Sequence, residues 1–230
     1  MKFVSTRTGI EANAPETVFQ GLAPDGGLFL PSKVEKLQAE ELKSLKTLGD
    51  AERAVVKALF DDMPSSVHED AIARLLSRFP EVDPIPLKEV DGLQILELFY
   101  GKTGAFKDVA LSMLPVYMRY AANGKRVLIL TATSGDTGSA AMQGFAGVEG
   151  TEIIVFYPAT GTSKIQRLQM TTPSDSNVHA VGIRGNFDDA QSAVKRIFAS
   201  EAMKALAERA GVTLSSANSI NTGRLIPQIA

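Results

Sequence analysis

A chain of 230 residues with 44% hydrophobic and 22% charged side chains has room for one or two buried cores, which excludes wholesale disorder. Its 24 basic and 26 acidic residues leave a net charge of −2, so nothing in the charge balance suits nucleic acid or an anionic membrane surface, and a small molecule is the expected partner. The absence of cysteine excludes disulfides, thiolate metal sites and a cysteine nucleophile, and His68 with His179 cannot build a histidine-rich metal centre.

The first residues turn polar at Ser5, Thr6 and Arg7 before an apolar signal core can form. No run approaches the ~18 residues of a membrane span, and the expected location is the cytoplasm. Residues 33–79 read as helical. Asp50 starts one helix over Ala54, Val55, Ala58 and Leu59; Ser66 with Glu69 forms a capping box for a second, followed by Ile72, Leu75, Leu76 and Phe79 at helical spacing. Pro80, Pro84 and Pro86 then suit neither a helix nor a central strand and predict a linker. We therefore expect a mainly helical region over 1–90 and an α/β region over 91–230.

In the second region apolar runs alternate with helical stretches: 93–99, then a helix through Tyr117; 127–132, then a helix through Phe145; 153–157, then a helix through Met170. The run 178–183, a helix from about Asp188, a short run at 212–214 and a final helix complete the rhythm. Such alternation predicts an open, largely parallel sheet with helices on both faces. Ligands of open sheets sit beyond the carboxyl ends of the strands, which directs attention to the connections after Phe99, Thr133, Tyr157 and Leu214.

Three of these connections carry candidate chemistry. The first, residues 101–108, sets Lys107 in or near the first turn of a helix, where the dipole and partial burial both favour a neutral, nucleophilic amine. The alternative is a solvated surface lysine. In the second, Ser134, Gly135, Asp136, Thr137 and Gly138 combine glycines and hydroxyls with a helix start, either as a backbone cradle for a carboxylate or phosphate, or as a plain turn capped by Asp136 or Thr137. The third holds Ser215, Ser216, Asn218, Ser219 and Asn221, with Arg224 a turn further on; Ser219 is either a ligand contact or a helix cap. Gly185, Asn186, Phe187, Asp188 and Asp189 resemble a phosphate loop, but the two carboxylates suit a helix start better. His68, in a helix, and His179, in a strand, read as structural.

Taken in order, these motifs resemble those of the threonine synthases, within the fold-type II pyridoxal-phosphate enzymes. Glu97 and residues 103–110, centred on Lys107, resemble the lysine-attachment signature, and residues 132–138 resemble the loop that grips the substrate carboxylate. The runs 155–158, 165–170, 185–189 and 216–221, together with Thr6, Arg7 and residues 21–29 near the start, resemble further family segments. Two departures stand out. Tyr100, Gly101, Lys102 and Thr103 replace the usual His-Gly-Pro-Thr, with Gly104 where a bulkier residue is common. The family's cofactor-phosphate loop and the residue facing the pyridine nitrogen belong to its C-terminal half, and no counterpart occurs before Ala230.

The resemblance implies an N-terminal portion of a threonine synthase, with Lys107 holding pyridoxal 5′-phosphate as a Schiff base. It further implies conversion of O-phospho-L-homoserine and water to L-threonine and phosphate, in threonine biosynthesis. Asp136 and Asn218 are expected at the cofactor. Ser134, Gly135, Thr137, Gly138, Ser219, Asn221 and Arg224 are expected at the substrate. A serine or threonine dehydratase, a phospho-lyase paralogue and a non-catalytic anion-binding domain are the alternatives. The 230-residue chain by itself is expected to be inactive. Leu225, Ile226 and Ile229 are expected to await a partner, either the missing half or a second copy.

Overall fold

The computed structural model describes residues 1–34, 36–79 and 83–230; Pro80, part of the expected linker, lies outside them. The chain begins with three short strands, β1 (Phe3–Ser5), β2 (Glu11–Ala12) and β3 (Phe29–Pro31), paired antiparallel in the order β2-β1-β3. Helix α1 (Ala14–Gln20) lies between β2 and β3 and starts at a capping box. Asn13 accepts from the Glu16 N–H, and the Glu16 carboxylate accepts from the Asn13 N–H.

Helices α2 (Ala39–Ser44), α3 (Leu48–Leu59) and α4 (Ser65–Ser77) follow. Thr47, not Asp50, caps α3; Asp50 sits one turn in and returns a bond to the Thr47 N–H, so the helix starts two residues earlier than expected. The expected capping box of Ser66 and Glu69 does not form. Helix α4 starts behind Pro64 without a side-chain cap, and Glu69 instead takes a two-pronged hydrogen bond from Arg53 of α3 at 2.7 and 2.8 Å. A forked Arg–carboxylate pair offers the Glu69 side chain more than one backbone N–H would.

The run 93–99 is not the first strand of the parallel sheet. Leu93–Leu96 (β5) pairs antiparallel with Leu87–Val90 (β4) in a separate two-stranded hairpin exposed along its length. Asp91 and Gly92 turn it with φ of 50° and 76°, the pair of positive φ values that a tight hairpin turn needs and that Asp-Gly supplies. The long helix α5 (Lys107–Ala122) then leads into the α/β layer.

That layer contains β6 (Arg126–Ala132), α6 (Asp136–Phe145), β7 (Thr151–Pro158), α7 (Lys164–Thr171) and β8 (Val178–Ile183). It continues with α8 (Phe187–Ala199), α9 (Glu201–Arg209) and β9 (Val212–Ser215). The strands are all parallel, in the order β8-β7-β6-β9. Alternation along the strands assigns the two faces. Val127, Ile129, Ile153 and Val155 join the main core with α5 and α6, while Leu130 and Ala132 pack with Ala190 and Val194 of α8 on the other face. Asn186 caps α8 in a capping box with Asp189, as the carboxylates there suggested. The single helix expected after Asp188 is broken at Ser200, which leaves the helical region and caps α9.

The main core also takes in the first region. Tyr117 of α5 is fully buried with its ring 5.4 Å from Phe60, edge to face, and Phe60 lies 6.2 Å from Phe3. Burying a side chain of this size stabilises by about 1.5–3 kcal/mol, so these contacts tie β1 and α3 to the layer that carries the site. The final helix is short. Helix α10 (Thr222–Leu225) tightens into a 3₁₀ turn (Ile226–Ile229), because Pro227 has no N–H to continue the α pattern. Of its apolar residues expected to lack a partner, Ile226 is buried in the core, whereas Leu225 and Ile229 are exposed.

Candidate active site

Beyond the carboxyl ends of β6 and β9 lies a cavity of ≈ 320 Å³. Lys107, Ser134, Thr137, Asn218, Ser219 and Arg224 line it. Six of the ten residues singled out in the sequence thus meet around one space; Gly135, Asp136, Gly138 and Asn221 do not line it. A cavity of ≈ 370 Å³ at the opposite end of the sheet, around Arg126, Gly150 and Asp175, holds none of them and faces the amino ends of the strands, where open sheets do not bind ligands.

Lys107 is the first residue of α5, and its side chain is 18% exposed. The amine packs over the Phe106 ring at 4.2 Å and lies 3.4 Å from Asp136 Oδ2. Asp136, at the first position of α6, caps nothing; its other oxygen accepts from Gln166 Nε2 at 2.6 Å. The turn reading, with Asp136 or Thr137 as cap, is therefore replaced by a different local solution. The buried Thr133 Oγ1 accepts from the N–H groups of both Gly135 and Gly138 at 2.9 Å. The sequence placed Thr133 at the strand end and within the run 132–138, without assigning it this role.

That arrangement narrows the cradle. With Gly135 and Gly138 turned inward, the backbone N–H groups of Ser134, Asp136 and Thr137 remain as donors at the start of α6. Gly138 is needed for packing, since a Cβ there would lie 2.5 Å from Thr133 Cγ2 and 2.6 Å from Val155 Cγ1.

On the far wall, Asn218 Nδ2 donates to the Ala132 carbonyl at 2.9 Å and Asn218 Oδ1 accepts from the Ala132 N–H at 3.3 Å. Asn221 does not face the cavity. It is fully buried, donates from Nδ2 to the Val18 and Ser216 carbonyls, and accepts from the Gly223 N–H as the cap of α10. Ser219 is exposed on the cavity wall and does not cap that helix.

Arg224 supplies the charge. It is 3% exposed, donates from Nη1 to the Ala217 carbonyl at 3.0 Å and from Nε to Gln228 Oε1 at 3.3 Å, and pairs with no carboxylate among the described residues. Burial brings its pKa down to about 10. A buried guanidinium without a counter-ion is costly, and one that borders a cavity is suited to an anion arriving from solution. The wall thus offers an amine, a cationic fork, free amides and hydroxyls, a donor set that fits an aldehyde-bearing phosphate cofactor and an anionic amino acid.

A family model described as threonine synthase N terminus matches residues 2–76. Over the whole chain, identity is 40% with threonine synthase-like 2 of Rattus norvegicus and 36% with threonine synthase of Pseudomonas aeruginosa, covering 48% and 49% of those proteins. The fold agrees with a crystal structure of pyridoxal-phosphate-bound threonine synthase from Brucella melitensis at a TM-score of 0.88, with 37% identity, 100% of this chain and 50% of that one. Threonine synthase from Escherichia coli gives 0.86 and 32% over 100% of this chain and 52% of that one. The chain matches the N-terminal half of threonine synthases. Its α/β fold is that of threonine synthase structures, and it spans about half the length of the curated relatives it matches. No helix among the described residues is long and apolar enough to cross a membrane.

Proposed function

We propose that this chain forms the lysine-bearing half of a pyridoxal-phosphate-dependent threonine synthase, which converts O-phospho-L-homoserine and water into L-threonine and phosphate. The observation that carries the reading is the shared cavity of Lys107 and the carboxylate-free, buried Arg224. Pyridoxal 5′-phosphate, when bound, supplies an electron sink for charge developing on substrate carbon. Lys107 holds it covalently and moves protons at the substrate's α and β carbons. The free amides of Ser134 and Thr137 orient the substrate carboxylate, with their hydroxyls beside it. Arg224 and Ser219 receive the substrate phosphate, and Asn218 borders the cofactor.

The decisive experiment is incubation of the chain with pyridoxal 5′-phosphate, borohydride reduction and peptide mapping: label on Lys107, lost in Lys107→Ala, supports the reading, and an unlabelled Lys107 rejects it. Relatives named threonine synthase-like favour one second reading, a lyase of the same cofactor class acting on a related phosphorylated amino acid. Product analysis separates the two, since a synthase yields threonine with phosphate and a simple lyase yields an oxo acid. Catalysis also needs the cofactor's own phosphate to be gripped, and Ser134 and Thr137 are committed to the substrate. We therefore expect no phosphate release from phosphohomoserine by the 230-residue polypeptide alone.

A further inference from the structure

Helix α7 has little apolar anchorage: Ile165 and Leu168 are 71% and 46% exposed, and burial falls on Met170. Its two glutamines lie three residues apart on one face and reach two different loops of the candidate site. Gln166 Nε2 donates to Asp136 Oδ1 at 2.6 Å, and the opposite oxygen of Asp136 receives Lys107 Nζ. Gln169 Nε2 donates to the Thr103 carbonyl at 3.1 Å. Thr103 in turn gives its N–H and its hydroxyl to the two oxygens of Asp108, at 2.8 Å each, and Asp108 adjoins Lys107 in the chain. The lysine is thus tied to α7 by two routes, one at its amine and one at its backbone.

Glycines make room for both routes. A Cβ on Gly135 would lie 2.3 Å from Gln166 Cδ, and a Cβ on Gly101 would lie 2.5 Å from Asp108 Oδ2. We propose that Gln166 and Gln169 are positioning residues for Lys107, so that α7 sets the place at which the amine meets an aldehyde. The identity of that aldehyde rests on the function proposed above. Without the Gln166 bond, the Asp136 side chain, 46% exposed, is free to rotate away and release an amine carried on four rotatable bonds. Without the Gln169 bond, the loop ahead of α5 loses its tether to the far side of the site.

Lys107 reactivity tests this directly. The 230-residue chain is incubated with pyridoxal 5′-phosphate, the amine nitrogen bonds to the aldehyde carbon as water leaves, and borohydride adds hydride to the resulting C=N bond. The rate is read on the Lys107 peptide, with the exposed Lys43 of α2 as internal reference. Gln166→Met and Gln169→Met keep side-chain length and remove the donor; each should slow Lys107 labelling about tenfold, leave Lys43 unchanged and preserve cooperative melting.

In Gln166→Glu only the protonated acid can donate to Asp136, so its labelling relative to the unsubstituted chain should rise as pH falls. A purely structural role for Gln166 moves the melting temperature and leaves that ratio flat. Lys107 labelling at the unsubstituted rate in both Met variants, a flat pH ratio, or loss of cooperative melting in both Met variants overturns the proposal. An unlabelled Lys107 in the unsubstituted chain removes the proposed function and this inference with it.

Discussion

Asn218 pairs with Ala132 as a further length of backbone would: its amide gives one hydrogen bond to the Ala132 carbonyl and takes one from the Ala132 N–H. Pairing between β6 and β9 proper ends at Ile129 and Ser215, so the side chain continues the ladder where the main chain has turned away. Asn218→Asp replaces the donor with an acceptor facing the Ala132 carbonyl. That change should cost about 1–3 kcal/mol in chemical denaturation and weaken cofactor capture, while Asn218→Ala should cost less. Equal effects of the two substitutions would show that packing, not pairing, is the role of this residue.

The proposed phosphate contact of Arg224 can be tested in a simple thermal experiment. A ligand that binds only the folded state stabilises it by about 2.7 kcal/mol at one hundred times its dissociation constant. The melting temperature should therefore rise with inorganic phosphate, and Arg224→Met should abolish the rise. A persistent phosphate shift in the variant would move the anion site elsewhere.

Glu52, on α3, is fully buried, and neither carboxylate oxygen has a hydrogen-bond partner among the described residues. Desolvation lifts its pKa from the ordinary 4.5 to about 8. The folded state therefore prefers the protonated form. The group's most favourable contribution lies below the unfolded value, and stability is lost as pH rises from 4.5 to about 8, by on the order of a few kcal/mol. Glu52→Gln should flatten the stability profile across that window. Buried His68 acts in the opposite sense: its lowered pKa means that stability is lost as pH falls below its ordinary 6.5, and this limb should survive in the variant.

Gly144 sets helix propensity against packing. Alanine is favoured over glycine inside a helix by about 1 kcal/mol, yet a Cβ here would stand 2.1 Å from the carbonyl oxygen of Leu111 on α5. Backbone at such a contact has no rotamer to change. Gly144→Ala should therefore destabilise by about 1–3 kcal/mol in denaturant titration. A stabilised variant would mean that α5 and α6 can move apart.

Local pattern determined much of this molecule. The sheet strands of the second region were legible because continuous apolar runs between helical stretches mark strands buried on both faces, and the start of α8 because Asn and Asp at a helix start report directly on the cap they form. The hairpin was missed: Asp91-Gly92 signals its turn, but the apolar content of 93–99 led that run to be read as a strand of the parallel sheet.

What only the tertiary structure decided was partnership between distant residues. Thr133 displaced Asp136 as the group that satisfies the start of α6, Glu69 went to Arg53 and not to a helix cap, and Asn221 was drawn into the core with Val18, 203 positions away. The two glutamines of α7 reach Asp136 and Thr103 across 30 and 66 positions. Each outcome is a choice among several donors and acceptors of similar intrinsic strength. That choice is made by which of them the packed core brings within about 3 Å, a quantity that no spacing in the sequence records.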